Sequence, residues 1–411
     1  MLSPSRAMHP IKWIIGTQLL IQLKVLIAVV IGALLLFGLY GLFSDVVIPT
    51  TTSKVDSLFK LEGHFDGSSG GGGTGGGDTP VTPTPEIKRE SGSVIPDGAK
   101  YTKTDGTTLD GDGTNTMPDA PAANDTYEEG DYIYTYGGIY SDSNVIGWSV
   151  STSGPYKDNG YGPILSEIAN EPVLSIWNLF YRNHGLNEAP EIPSSVIDMY
   201  AAFSETGISV APKIPDGMIY MSDAFNECGA LKTYVGSTDV DGDFSHYQIP
   251  NSVTDLSGAF SGCWKIKKAP EIPNSVISIS WSFSGTSITT APEIPSSVAD
   301  MSFAFRDCEE LSSVPIIPSS VTNMSYAFYG CTSLVTAPEI PNSVTNMQSA
   351  FYGCTSLATA PEIPSSVTNM YNTFEGCTLL KGQTITIPSS VTLPSGTRGF
   401  WGDNGPSWVK Q

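Results

Sequence analysis

The sequence predicts a repeat solenoid of α/β coils about 23 residues long, with a small N-terminal β module in front of it and one N-terminal transmembrane helix. Three observations predict this. The phrase SSVTNMSYAFYGCTSLVTAPEIP (Ser319–Pro341) is followed at once by NSVTNMQSAFYGCTSLATAPEIP (Asn342–Pro364) and recurs with variations from about Pro172 to Pro388. The 19 residues from Val25 to Phe43 carry no charge. Runs of alternating aromatic and β-branched residues lie between Ser93 and Gly162. A chain of 411 residues with 42 Gly and 30 Pro is expected to consist of several segments joined by turns and linkers. Its net charge of -21 excludes nucleic acid as a partner, because phosphate recognition needs Lys and Arg to displace condensed counterions.

At the N-terminus, residues 25–43 are long enough for about 28 Å of helix, which just spans a bilayer. Arg6, Lys12 and Lys24 precede the run, whereas Asp45 and Asp56 follow it among Lys54 and Lys60, so residues 1–24 are expected in the cytoplasm and the bulk of the chain outside. A cleaved signal peptide would have a shorter apolar core, and LFGLYGLFSDV offers no clean pair of small residues for cleavage, so a single-pass anchor is expected. Residues 44–92 follow as a stalk, ending in the Gly-rich and Pro/Thr-rich stretch from Asp66 to Glu90, half flexible coil and half extended spacer.

Residues 93–170 read as a small β-rich module and N-terminal cap. Tyr132–Tyr136 and Asn144–Val150 have strand character, with Gly137-Gly138 as the expected hairpin turn. Two acidic stretches, Asp105/Asp110/Asp112/Asn115 and Asp239/Asp241/Asp243, are weak calcium candidates, since neither completes an EF-hand loop with its terminal Glu. No other metal and no cofactor is expected.

Residues 171–388 carry the repeat, interrupted by an insertion at 235–248. Phe180, Phe203, Phe225, Phe260, Phe283, Phe305, Phe328, Phe351 and Phe374 fall in register at steps of 22 or 23 residues, with one step of 35. A period in the twenties marks a leucine-rich-repeat-like solenoid. Val344, Met347, Ala350, Phe351 and Cys354 recur at intervals of three or four, which predicts one face of a short helix with Ser343 as N-cap. Leu357, Ala360 and Ile363 then face inward from an extended segment that Pro361 and Pro364 keep short. No coil can bury its own apolar side, so the coils must stack. Residues 389–411 read as a C-terminal cap, with Phe400, Trp401 and Trp408 as apolar cover.

The six cysteines each lie three residues after a repeat phenylalanine, and the same site holds Asn183, Thr206 and Thr286 in other coils. The position asks for a small side chain, and identical positions on neighbouring coils point in parallel, which suits buried free thiols better than disulfides. Zinc would need CxxC pairs or histidines in the ladder, and there are neither.

SVTNMSYAFYGCTSLVTAPEIP resembles the repeat of the BspA-type leucine-rich-repeat proteins of bacterial surfaces, over Glu171 to about Val391. The resemblance implies a curved solenoid displayed outside the cell and an adhesive role towards matrix proteins, other microbes or saccharides. The additional Pro of APEIP departs from the common unit.

Two columns are not explained by packing and are the candidate ligand-binding residues. Glu191, Glu271, Glu293, Glu339 and Glu362 share one site, interrupted by Lys213, Gln248 and Ile316; stacked like charges repel, and a basic or cation-bearing partner would relieve them. Trp281, Phe303 and Tyr326 occupy one site on consecutive coils, with Tyr329 and Tyr352 nearby, and offer stacking area to sugars or protein side chains. No catalytic residues are assigned: His9, His64, His184 and His246 sit in no nucleophile or metal motif, and a thin solenoid seldom makes the cleft that a carboxylate pair needs. The expected function is a membrane-anchored, adhesin-like surface protein that binds an extracellular protein or saccharide. A self-associating structural envelope protein is the alternative, and a hydrolase within Ser93–Gly162 a third.

Overall fold

The computed structural model describes residues 86–392 and 406–410. The chain divides into two units, Met1–Thr82 and Pro83–Gln411, and every described residue belongs to the second. The expected membrane helix, the cytoplasmic segment, the stalk up to residue 85, and Phe400 and Trp401 lie outside the described residues. Among the described residues no helix is long and apolar enough to cross a membrane.

The β module is built from β1 (Lys88–Arg89), β2 (Lys100–Thr102), β3 (Thr108–Asp110), β4 (Thr126–Glu129), β5 (Tyr132–Gly138), β6 (Ile146–Thr152), β7 (Glu167–Ile168) and β8 (Glu171–Ser175). They form one sheet in the order β1-β7-β8-β6-β5-β4-β2-β3. Period-2 alternation sends Tyr101, Tyr127, Tyr132, Tyr134, Trp148 and Val150 into the core, and Ser149 and Thr135 to the other face. Each buried polar tip is satisfied: the Tyr101 hydroxyl donates to Asp125 (2.6 Å), and the Trp148 Nε1–H to the Ile168 carbonyl (2.9 Å). The hairpin turn is not at Gly137-Gly138, as the sequence suggested. Both glycines belong to β5, and the connection is residues 139–145, tied by Asp142, which accepts the Asn144 N–H. Gly138 is needed for a different reason: a Cβ there would lie 2.7 Å from the Ser143 carbonyl oxygen.

The repeats form a leucine-rich-repeat solenoid, but the expected helix is absent: no α-helix occurs among the described residues of any coil. In its place stands a run of turns. The N–H groups of Met301, Phe303, Phe305 and Asp307 donate to Asn323, Ser325, Ala327 and Tyr329 of the next coil, whereas those of Ala304, Arg306 and Cys308 donate three residues back within their own. Alternate donors therefore serve the neighbour and the turn, where a helix would send them all four residues back. The reason is spacing. Parallel bridges Asp300↔Asn323↔Asn346↔Asn369 set neighbouring coils one strand separation apart, about 4.8 Å, while packed helices need about 8–10 Å. Ser343 is accordingly no helix cap: its hydroxyl donates to the Val321 carbonyl of the previous coil (2.7 Å), as Ser320 does to Val298 and Ser366 to Val344.

Inside, Val344, Met347, Ala350, Phe351, Cys354 and Leu357 are fully buried and Ile363 nearly so. The nine register phenylalanines stack into one ladder, with centroids 5.4–5.9 Å apart from Phe180 to Phe374. Tyr161 of the β module closes the ladder edge-on at 4.8 Å from Phe180. The sheet continues into the array as well: β8 pairs in parallel with β6, and Ser175 at its end bridges to Asp198 of the next coil. The insertion adds core to the array. β9 (Val210–Ala211) pairs with β10 (Thr233–Tyr234), after which Phe244 and Tyr247 turn inward against Phe260. At the far end β11 (Thr384–Ile387) pairs with β12 (Ser407–Lys410), setting Trp408 against the core.

Candidate functional site

The cysteine column is structural. All six thiols are free and fully buried. Each donates to the main-chain carbonyl of the preceding coil's phenylalanine, as Cys308 does to Phe283 (3.0 Å) and Cys377 to Phe351 (3.0 Å). In coils with threonine, Thr206 and Thr286 donate instead to Phe203 and Phe283 of their own coils (2.7 Å each). Burial pushes Cys228 up to about 11 and Cys308 and Cys377 up to about 12, so these are protonated, unreactive thiols.

The aromatic candidates come together. The site two residues after Met holds Asn178, Ala201, Asp223, Gly258, Trp281, Phe303, Tyr326, Ser349 and Asn372, every one with positive φ between 48° and 65°. Gly, Asn and Asp suit such backbone; bulky residues do not, at roughly 1–2 kcal/mol each. Yet Trp281 stacks on Phe303 (4.1 Å, 6°) and Phe303 on Tyr326 (4.5 Å, 5°). Tyr326 meets Tyr329 at 5.9 Å, and Tyr329 stacks on Tyr352 at 4.6 Å. The Arg306 guanidinium links the two columns, 5.3 Å from the Trp281 ring centre and 5.2 Å from that of Tyr329, and its Nε pairs with Asp307 (3.1 Å). Gln348 donates to the Tyr326 hydroxyl (3.0 Å). Two ring pairs at about 0.5–1.5 kcal/mol each do not exceed the cost of three left-handed aromatics. Phe303 is covered on both faces by its neighbours, and Trp281, at one end of the stack, is 36% exposed.

The acidic candidates lie elsewhere on the coil, and no hydrogen bond, ion pair or ring contact among the described residues joins them to the aromatic strip. Glu191, Glu271, Glu293, Glu339 and Glu362 are all exposed. Glu339 and Glu362 line one shallow groove with Pro338, Pro361 and Asn342, and Glu191 lines another with Lys213 and Asp216. Ile316 at the equivalent position is 83% exposed, so the site faces solvent whatever occupies it.

The calcium candidates of the insertion are not gathered. Asp239 accepts from the Tyr234 hydroxyl (2.6 Å) and faces His246 Nδ1 (3.2 Å), Asp241 pairs with Lys232 (3.0 Å), and Asp243 with Lys268 (2.6 Å). The hydrogen bond from Lys268, with help from Ser245, holds Asp243 down at about 2. In the other loop Asp105 and Asp112 accept the N–H groups of Thr107 and Thr114 in local turns. Among the described residues no group of three His, Cys, Asp or Glu side chains is placed to hold a metal ion.

Sequence reasoning missed a cleft between the outward face of the β5–β6 hairpin and the first coil. Thr135, Ser149 and Ser151 supply hydroxyls, Asn124 and Asn178 amides, and Tyr140, Tyr156 and Trp177 aromatic area. Tyr140 stacks on Trp177 at 4.4 Å and 13°.

A family model described as the BspA type leucine rich repeat region matches residues 240–347 and 283–395. Residues 240–395 are a BspA-type leucine-rich repeat region. The whole aromatic strip falls within this BspA-type segment. The same phenylalanine ladder runs beyond it through Phe225, Phe203 and Phe180, so the packing rule of the BspA-type coils extends to the first coil. A family of unknown function (DUF6133) matches residues 20–63, outside the described residues. No curated protein matches the chain. Among solved structures, a leucine-rich repeat protein from Bacteroides ovatus is 18% identical, covering 69% of this chain and 99% of that one, with a TM-score of 0.28. A leucine rich cell surface protein from Faecalibacterium prausnitzii is 21% identical over 70% and 98% of the two chains, with a TM-score of 0.34. The pneumococcal vaccine antigen PcpA is 15% identical over 66% and 84%, with a TM-score of 0.32.

Proposed function

We propose that the chain is an adhesin-like surface recognition protein. Residues 25–43 hold it in the membrane with residues 1–24 in the cytoplasm, and the array stands outside as a binding surface for a protein or saccharide. The observation that carries this reading is the aromatic strip. Four of the nine coils place Asn, Asp or Gly at its left-handed site, so folding does not require aromatics there, and Trp281, Phe303 and Tyr326 occupy strained backbone on three consecutive coils. Exposed aromatic edges beside an arginine are favourable contact groups for a partner. The acidic column is a second surface, suited to a basic partner. No catalytic role is proposed for any residue.

The test uses the full chain in detergent on an array of matrix proteins and glycans, beside two variants: Trp281→Ser/Phe303→Asn/Tyr326→Asn, and Glu271, Glu293, Glu339 and Glu362 changed to Gln. Binding that drops in the first variant supports the strip, and binding that drops only in the second moves recognition to the acids. Concentration-dependent assembly with no ligand bound would replace the reading with the structural one. Protease treatment of intact cells checks the topology: an array that survives uncut contradicts its exposure.

A further inference from the structure

The cleft between the hairpin and the first coil has an uncharged lining in an otherwise acidic protein. Its floor is the outward face of β5 and β6, where Thr135 lies directly opposite Ser149 and Gly137 opposite Gly147. Tyr140 rises at one side, 57% exposed, stacked on Trp177 and with the Tyr200 ring 5.2 Å away at a tilt of 42°. Tyr156, 47% exposed, also lines it.

Two features of the lining restrict the ligand. No Lys, Arg, His, Asp or Glu lines the cleft, in a chain with 41 acidic and 20 basic residues. Its polar groups are hydroxyls and amides, and among the described residues the side chains of Asn124, Thr135, Ser149 and Asn178 make no hydrogen bond to the protein. Such groups both donate and accept. A ligand matched to them carries many hydroxyls, no charge, and an apolar face to lie against the exposed Tyr140 ring. Acidic sugars would lack a cation, and peptides with charged side chains a counter-charge. Backbone geometry agrees: Asn124 (φ 69°) and Asn178 (φ 53°) are left-handed positions at which asparagine is among the least strained residues, so these amides are presented at little cost.

We propose that this cleft binds a neutral saccharide, a chain of uncharged pyranose units, with the exposed Tyr140 ring, backed by Trp177, as the stacking platform and Thr135, Ser149, Asn124 and Asn178 as hydroxyl partners. The proposal rests on the recognition reading and sharpens it, because it gives that reading a second site with its own ligand class.

The experiment is calorimetric titration of the full chain in detergent with cellohexaose, amylose, mannan and galactan as neutral probes, and polygalacturonate and a proline-rich peptide as controls. Tyr140→Ala removes the exposed half of the platform from a loop, and Thr135→Val with Ser149→Ala removes two hydroxyls at nearly constant volume; thermal melts confirm that both remain folded. The expected result is binding of at least one neutral glycan, unchanged between 50 mM and 500 mM salt, weakened at least tenfold by each cleft variant and unaffected by the Trp281/Phe303/Tyr326 variant. The proposal is overturned if no neutral probe binds, if only polygalacturonate or the peptide binds, or if the cleft variants bind as wild type does. Protein binding that depends on Trp281 in the absence of glycan binding would sink the cleft alone and leave the recognition reading standing.

Discussion

The Cys354 thiol donates to the main-chain carbonyl of Phe328, one coil earlier, across 3.1 Å. The same carbonyl accepts the Cys331 N–H of its own coil (3.2 Å), so a single oxygen ties a turn to its neighbour. These sulfurs hold the stack together and are closed to solvent.

Native protein should therefore give no reaction with a thiol reagent at pH 8, and six thiols after unfolding in urea. Labelling of any cysteine at a rate exceeding that of unfolding would contradict the buried column.

Alkali should weaken the fold through the same groups. The ordinary thiol value is 9.0, and burial raises Cys228 to about 11 and Cys308 and Cys377 to about 12. Between about pH 9 and pH 12 the unfolded chain loses protons that the folded chain keeps, so stability is full below pH 9 and declines as pH rises through that window. Buried Tyr132 and Tyr134, also raised by burial, act in the same direction above pH 10. Urea midpoints should fall from pH 9 to pH 10 and again to pH 11, with the pH 8 value the highest or equal to that at pH 9; a flat series would refute the burial of these thiols.

Phe305→Ala should cost about 3–5 kcal/mol, because it empties a fully buried position and breaks the stacks on Phe283 and Phe328. In a nearest-neighbour array the damage falls at the middle, so urea melts should lose cooperativity and separate into two transitions. A single transition with an unchanged slope would show that coils are coupled over longer range.

Phe303→Asn should leave stability within about 1 kcal/mol, since it gives up two ring stacks and relieves a left-handed backbone of roughly 1–2 kcal/mol. Gly353→Ala, by contrast, should destabilise by about 1 kcal/mol or more, because φ is +72° there, a left-handed backbone that a Cβ disfavours even though the added atom would meet Gly330 only at ordinary contact distance. Thermal melts of the pair decide: a large loss in Phe303→Asn would make the strip a structural element.

The stacking of coils, the phenylalanine ladder and the cysteine site were legible because each repeats one residue type at one period, and only a shared core explains that. The helical reading fails for a definite reason. Apolar residues at Val344, Met347, Ala350, Phe351 and Cys354 satisfy a helical face, but a series of turns with bonds three residues back presents the same spacing, and only the 4.8 Å separation of coils excludes the helix. Glycine pairs such as Gly137-Gly138 usually mark a turn; here Gly138 instead permits the approach of Ser143. The aromatic strip was visible as a column, but the role of Arg306 was not, since it sits in a different column from Trp281 and meets it across a coil boundary. The cleft could not be seen: Asn124, Thr135, Ser149 and Trp177 share no motif and meet only through the pairing of β5 with β6 and the docking of the first coil.

The alternation of donors within a coil has a consequence for inheritance. The links from one coil to the next run through main-chain groups and the matched phenylalanine and cysteine positions, so any coil that keeps those positions can follow any other. Residues 319–341 and 342–364 differ at few positions, as expected of a copied stretch of gene. Gaining or losing 23 codons in frame changes the reach of the array by about 4.8 Å and leaves both ends covered as before. Array length is thus set by the number of copied coils and not by the rule that packs them.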